Sequence, residues 1–172
     1  TEFPGNPHMQ GLADARRFGE ITARELASVG INMDMAPVVD VAPADMSGIM
    51  ADRVFGSDPA YVGQMGNAVI EALQAGGVMA VAKHFPGIGR TTLDSHLDLP
   101  VCRHDPAAME DVEYPPFAAA MQTGVSAVML SHILYEQIDA RWPASLSPAI
   151  ARDLLRGRFG FRGVTITDDL DM

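Results

Sequence analysis

The chain has 172 residues, 48% of them hydrophobic and 20% charged, which suits one folded domain with a real core and excludes a disordered or collagen-like chain. Twelve Lys and Arg against 22 Asp and Glu give a formal net charge of −10, so phosphate backbones and anionic lipid are repelled, and neither nucleic acid nor membrane insertion is expected. The single cysteine, Cys102, excludes an internal disulfide and a four-cysteine zinc site, and no apolar run approaches the ~18 residues of a membrane span. Thr1 to Gly30 has neither the charged start nor the apolar core of a signal peptide, but the chain has no initiator Met, so cytoplasmic is a default expectation only, with a periplasmic or secreted location as the alternatives. The opening Thr-Glu-Phe-Pro-Gly reads as mid-loop, and the chain stops at Asp-Leu-Asp-Met directly after a predicted strand. Both ends therefore suggest an internal segment of a larger domain.

Helical and strand signals alternate along the chain. A first helix is predicted from about His8 to Val29, with Leu12, Ala15, Phe18, Ile21, Leu26 and Val29 near one stripe and Gly30 as its stop. A strand, Ile31 to Val39, follows, and then a loop from Ala42 to Gly56. Ser57-Asp58-Pro59 caps a second helix with Val62, Met65, Val69 and Leu73 inward, ended by Gly76-Gly77, and Val78 to Ala82 is the second strand. Asp105-Pro106 opens a third helical region, interrupted at Pro115-Pro116 and resumed from Phe117 to Gln122. Val125 to Leu130, a helix over Ala149 to Arg156 after Ser147-Pro148, and Val164 to Thr167 complete the pattern. Four apolar, β-branched strands alternating with four helices read as parallel βα units of an α/β barrel or open sheet. The methionines at 33, 35, 65, 79, 121 and 129 are assigned to the core.

In both parallel architectures reactive groups gather where strands end. Here the first strand is followed by Asp40 and later Arg53, the second by Lys83-His84, the third by Ser131-His132 and the fourth by Asp168-Asp169. The loop from Lys83 to His96 contains Gly87-Ile88-Gly89, but no helix start follows it, so a phosphate site is disfavoured and the glycines are read as folding the loop back over a ligand. Asp94-Ser95-His96 sets a carboxylate two residues from an imidazole that it can hold and support when protonated, giving a proton donor and acceptor near neutral pH. The same spacing also fits a surface Asp and His in a polar loop. Asp168, emerging from a buried strand, suits a nucleophile, a metal ligand or a helix N-cap. Ser131-His132 reads as structural hydrogen bonding, because adjacent Ser and His make no nucleophile pair. Trp142 is either a sugar-stacking platform or a cover for the rim.

Five stretches taken together, INMDMAPVVDV (31–41), Asp52-Arg53-Val54-Phe55-Gly56, Lys83-His84-Phe85-Pro86-Gly87, Asp94-Ser95-His96 and Thr167-Asp168-Asp169-Leu170, resemble glycoside hydrolase family 3, specifically its β-N-acetylglucosaminidase branch. The resemblance spans nearly the whole chain. It implies a TIM (β/α)8 barrel, of which this chain is a partial segment of about four βα units, truncated at both ends and inactive in isolation. It further implies retaining hydrolysis of terminal β-linked N-acetylglucosamine, typically from peptidoglycan fragments, with the glycan as partner and no cofactor or metal. By position, Asp168 is the implied nucleophile, His96 the acid/base, Asp94 its orienting carboxylate, and Arg53, Lys83 and His84 the donors to sugar hydroxyls. A histidine acid/base departs from the usual carboxylate pair, so carboxylate separation does not predict stereochemistry; being uncharged when deprotonated, it also leaves phosphate open as an acceptor. The chain has Ile88 where the family often has His, and Arg90 where it often has an acidic or small residue. Two other readings of the same residues stand beside this one. The first is a metal-dependent barrel hydrolase drawing ligands from His84, Asp94, His96, His132 and Asp168; the second is a sugar-binding protein without catalysis.

Overall fold

The computed structural model describes residues 1–43, 50–90 and 99–171. A 3-10 turn, Asn6–His8, precedes helix α1, Leu12–Ser28. The helix begins later than the predicted His8 because the Met9 N–H closes the short turn on the Asn6 carbonyl and Gly11 breaks the backbone before Leu12. Its buried face is also partly different: Ala15 is inward as predicted, but it is joined by Gly19 and Ala23, whereas Leu12 and Val29, assigned to the inner stripe, are exposed. The cause is a close approach to helix α2, Pro59–Ala75. A Cβ at Gly19 would lie 2.7 Å from Ala72 Cβ and 3.0 Å from the Val69 carbonyl oxygen, and one at Gly76 would lie 2.5 Å from Ala23 Cβ. Only small residues fit such a seam, and Phe18 and Leu26 flank it half-buried.

The segment predicted as strand Ile31–Val39 runs along β2, Met79–Phe85, but only β1, Met33–Asp34, pairs regularly with it. Ala36 and Pro37 still offer carbonyls to Val81 N and Lys83 N, and Val39 N donates to the Lys83 carbonyl at 2.9 Å. Pro37 has no N–H to give, so the ladder lapses over Met35–Pro37, and Met35, assigned to the core, is exposed. β2 is longer than predicted and takes Lys83, His84 and Phe85 into the strand. The peptide bonds Ala36–Pro37, Lys83–His84 and Phe85–Pro86 are cis.

Helix α2 matches its signal. Asp58 Oδ1 accepts from Ala60 N at 2.9 Å, and Val62, Met65, Val69 and Leu73 are fully buried, each contributing roughly 1.5–3 kcal/mol by leaving water. Beyond it, β3 (Val101–Cys102) and β5 (Leu134–Tyr135) form a two-stranded parallel pair that has no counterpart in the sequence reading. Helix α3, Pro106–Asp111, starts on Asp105, and α4 spans Tyr114–Gln122. The break between them falls at Val112–Glu113 and not at Pro115-Pro116, because prolines in a first helical turn withhold N–H groups that have no intrahelical partner anyway. Then come β4, Ala127–Leu130, a helix with π-type hydrogen bonding over Ala149–Arg158, and β6, Val164–Thr167.

Among the described residues the main sheet has the order β1-β2-β4-β6 with every pairing parallel. This is the α/β arrangement expected, with the layering of a TIM-barrel wall. One face packs on α2 and α4, where Phe85 meets Phe117 and Phe159 edge to face at 5.3 and 5.8 Å. The other face carries Val81, Ala127 and Met129 with Met33 and Ile166. Burial on both faces explains why the central strands β2, over Ala80–Ala82, and β4 read as unbroken apolar runs, whereas β1 and β6 at the sheet's ends are only half-buried.

Candidate active site

The parallel strands all run toward one rim, and the polar residues collect there. Asp40 follows the Val38–Val39 stretch that lies along β2, and its carboxylate is buried. It receives three donors: His84 Nδ1 at 2.7 Å and His84 N at 3.1 Å on Oδ2, and Ile88 N at 2.8 Å on Oδ1. A carboxylate that meets three donors acts as acceptor to each, so Nδ1 carries the shared proton and Nε2 faces outward. The His84 side chain is only 3% exposed. At Nε2 two groups converge, Arg53 Nη2 at 3.4 Å and Asp168 Oδ2 at 3.6 Å. A neutral ring accepts from Arg53; a protonated ring faces Asp168 as an ion pair.

Asp168 leaves β6 with its backbone N–H bonded to the Leu130 carbonyl at 3.3 Å. Its Oδ1 accepts from Asp169 N at 2.9 Å, and Oδ2 points to His84. The side chain is 23% exposed, open enough for a ligand to reach it. Lys83 is half-buried beside the same groups. Burial pushes its amine below the ordinary lysine value, the Arg53 charge pushes in the same direction, and Asp168, Asp34 and Asp40 pull back. Asp34 shows the reverse effect: burial raises its carboxyl while Lys83 lowers it. Arg53 is steadied by Asn6, whose Nδ2 donates to the Arg53 carbonyl at 2.5 Å. Asn6, Met35, Asp52, Arg53, Phe55 and Lys83 line part of a cavity of ≈ 230 Å³.

Of the residues singled out from sequence, Arg53, Lys83, His84 and Asp168 therefore come together. Asp94 and His96 lie outside the described residues. His132 is tied into the scaffold, with Nδ1 hydrogen-bonded to Ser145 Oγ and Nε2 to the Asp169 carbonyl, both at 2.8 Å. Ser131 Oγ lies 3.2 Å from Tyr135 OH, so both members of that pair make structural contacts. Trp142 is exposed, with the Arg141 guanidinium 5.2 Å from its ring centroid. Among the described residues no three side chains of His, Cys, Asp or Glu cluster as a metal site.

Three features escaped the sequence reading. Asp40 was placed on the rim without a role, although an acid directly after Val38-Val39 is the signal for a group anchored at a strand end. Asp34 lies inside an apolar strand segment, where one acid among hydrophobic neighbours is itself a signal. Glu113, buried and bonded in a bidentate fork to Arg90, sits between two helices and carries no such signal.

Similar proteins share this architecture. A β-hexosaminidase of Thioalkalivibrio sulfidiphilus is 39% identical over 96% of this chain and 47% of its own length. The glycoside hydrolase family 3 β-N-acetylglucosaminidase structure from Paenibacillus sp. FPU-7 superposes with a TM-score of 0.89 at 36% identity, covering 94% of this chain and 31% of that one. The β-N-acetylhexosaminidase of Beutenbergia cavernae gives a TM-score of 0.85 at 38% identity, covering 92% of this chain and 48% of the other. The chain thus spans about half the length of the curated relatives it matches. The model of the glycosyl hydrolase family 3 N-terminal domain matches residues 1–172. With the parallel strands and their rim already in view, this match across the whole chain means that the protein belongs to glycoside hydrolase family 3.

Proposed function

We propose that this chain supplies the nucleophile and the sugar-binding rim of a retaining β-N-acetylhexosaminidase, as part of one catalytic barrel domain. The observation that carries the proposal is the convergence of Arg53 and Asp168 on His84 Nε2, at 3.4 and 3.6 Å, on a ring held from behind by Asp40. Names of the relatives support the reaction class.

In the first step an Asp168 carboxylate oxygen attacks the anomeric carbon of a terminal β-linked N-acetylglucosamine. The bond to the aglycone oxygen breaks, its electron pair stays on that oxygen, and His96 donates the proton, with Asp94 orienting the ring. The product is a glycosyl ester on Asp168. In the second step His96 takes a proton from water, the water oxygen attacks the same carbon, and the Asp168 carboxylate leaves. Two inversions give net retention. Arg53, Lys83 and His84 hydrogen-bond the sugar hydroxyls, Arg53 and Lys83 as donors only. Peptidoglycan fragments ending in N-acetylglucosamine are the proposed natural glycans, and the chemistry uses no cofactor.

The test is nitrophenol release by the full-length protein that contains this chain from the β-N-acetylglucosaminide and the β-glucoside, each with the wild type and with Asp168→Asn. Release from the N-acetyl substrate that Asp168→Asn abolishes is the expected outcome. Tight N-acetylglucosamine binding with no release from either substrate contradicts the proposal and favours a binding protein; near wild-type release by Asp168→Asn removes Asp168 from its role.

A further inference from the structure

Among the described residues two carboxylates are buried, Asp40 at the site and Glu113, which lies between α3 and α4 and packs against the turn that follows β2. Glu113, 2% exposed at its side chain, meets Arg90 in a fork: Arg90 Nε bonds Oε1, and Nη2 bonds Oε2 at 2.6 Å. Such a pair is directional, since both partners are planar and two parallel bonds fix their mutual orientation. Its net contribution to stability is small, because removing two charges from water consumes most of their attraction. What the fork does supply is a fixed place for Arg90, which closes the turn 86–90.

From Gly87 to Arg90 that segment is held with little room to shift. Gly87 N donates to the His84 carbonyl at 2.8 Å, and Tyr135 OH donates to the Gly87 carbonyl at 2.9 Å. Gly87 has φ +127° and lies so close to Glu113 that a Cβ there would be 2.5 Å from Glu113 Cγ. On the other side a Cβ on Gly89 would be 2.0 Å from the Val41 carbonyl oxygen. Between the two glycines, Ile88 N reaches Asp40 Oδ1, the oxygen opposite the one that holds His84.

We propose that the Arg90–Glu113 fork is a positioning device for the reaction. Glu113 fixes Arg90, Arg90 and the glycine contacts fix the turn, Ile88 N–H orients the Asp40 carboxylate, and Asp40 aims His84 Nε2 at Asp168 and the sugar. Glu113 and Arg90 act through these groups and touch no substrate. The inference rests on the proposed glycosidase reading.

Three variants test it: Glu113→Gln, Arg90→Lys, and the double variant Arg90→Met/Glu113→Leu, whose apolar pair needs no buried counter-charge and so keeps the test open if Glu113→Gln fails to fold. Two quantities are read in each, kcat/KM on the nitrophenyl N-acetylglucosaminide below the melting range and the NMR resonance of the His84 Nδ1 proton. Expected is a fall in kcat/KM of about tenfold or more, since small misplacements of positioned groups have large effects on rate. The His84 proton is expected to shift or be lost to exchange in the same folded variants, including the double variant. A folded double variant with wild-type kcat/KM and an unmoved His84 proton overturns the inference, whatever its melting temperature. If the full-length wild-type protein that contains this chain does not cleave the substrate, the glycosidase reading fails, and the His84 resonance alone decides whether the fork positions the ring.

Discussion

Asp40→Asn isolates the group on which the site is built. The carboxylate offers two oxygens to three donors, with His84 N and Nδ1 on one and Ile88 N on the other. An amide has one oxygen, so its orientation decides what is lost. With the oxygen toward His84, both contacts of 3.1 and 2.7 Å survive and the NH2 faces Ile88 N–H across 2.8 Å, donor against donor. With the amide reversed, the Ile88 contact survives and two donors on His84 are opposed, or the ring must change tautomer. The first orientation is cheaper. It strands one buried N–H at about 1–3 kcal/mol and reduces two charge-assisted bonds to neutral ones, about 1–2 kcal/mol more. The neutral amide is easier to desolvate, which offsets part of this and leaves about 2 kcal/mol of lost stability. Urea unfolding followed by circular dichroism measures the difference, and Asp40→Ala, which strands all three donors, is expected to lose roughly twice as much. An Asp40→Asn protein within about 0.5 kcal/mol of wild type, or an Asp40→Ala protein no less stable than the Asn variant, would refute the reasoning that these three bonds hold the site.

Lys83 is the single lysine of the chain, so amine acylation followed by peptide mapping reads it separately from the amino terminus. Because burial and Arg53 lower its proton affinity, the neutral amine forms at lower pH than in a free lysine, and labelling should reach half its maximum below the ordinary value of about 10.4. Arg53→Gln removes the charge that lowers it and should move that midpoint upward; a midpoint unchanged or lower would show that the two cations are not coupled. Gly89→Ala is expected to destabilise the protein by about 3 kcal/mol or more, since the new Cβ would meet Val41 backbone at 2.0 Å, where nothing can swing aside. Thermal melting checks this, and a loss under about 1 kcal/mol would mean that the turn is looser than its contacts indicate.

The elements and their order along the chain were largely legible because the central strands are buried apolar runs and the helices between them carry clear start and stop signals, as Asp58-Pro59 and Gly76-Gly77 do for α2. What failed is instructive at three places. The inner face of α1 was assigned to its large apolar residues, but the distance to α2 is set by Gly19, Ala23, Ala72 and Gly76, and a hydrophobicity pattern does not report how closely two helices approach. Met35 and Pro37 belong to an apolar stretch, yet the missing proline N–H interrupts the ladder there, so the strand shrinks to Met33–Asp34. Pro115 and Pro116 were read as a break when they open α4, the ambiguity inherent in a residue that ends one helix and starts another. At the site, Arg53, Lys83, His84 and Asp168 were visible as polar residues at strand ends. The Asp40–His84 bond and the Arg90–Glu113 fork were not, because they join positions 44 and 23 residues apart, and pairings of that range are created by the fold.

The most direct test of the central proposal, that Asp168 forms a covalent bond to the sugar, is mass spectrometry of the acid-quenched reaction of His96→Ala with a dinitrophenyl β-N-acetylglucosaminide. Its activated leaving group needs no proton, so the first step proceeds, whereas the second lacks its base and the intermediate accumulates. The account predicts a burst of dinitrophenol and the added mass of one N-acetylglucosaminyl residue on the peptide containing Asp168. Turnover without an adduct, or an adduct on a different residue, would contradict it.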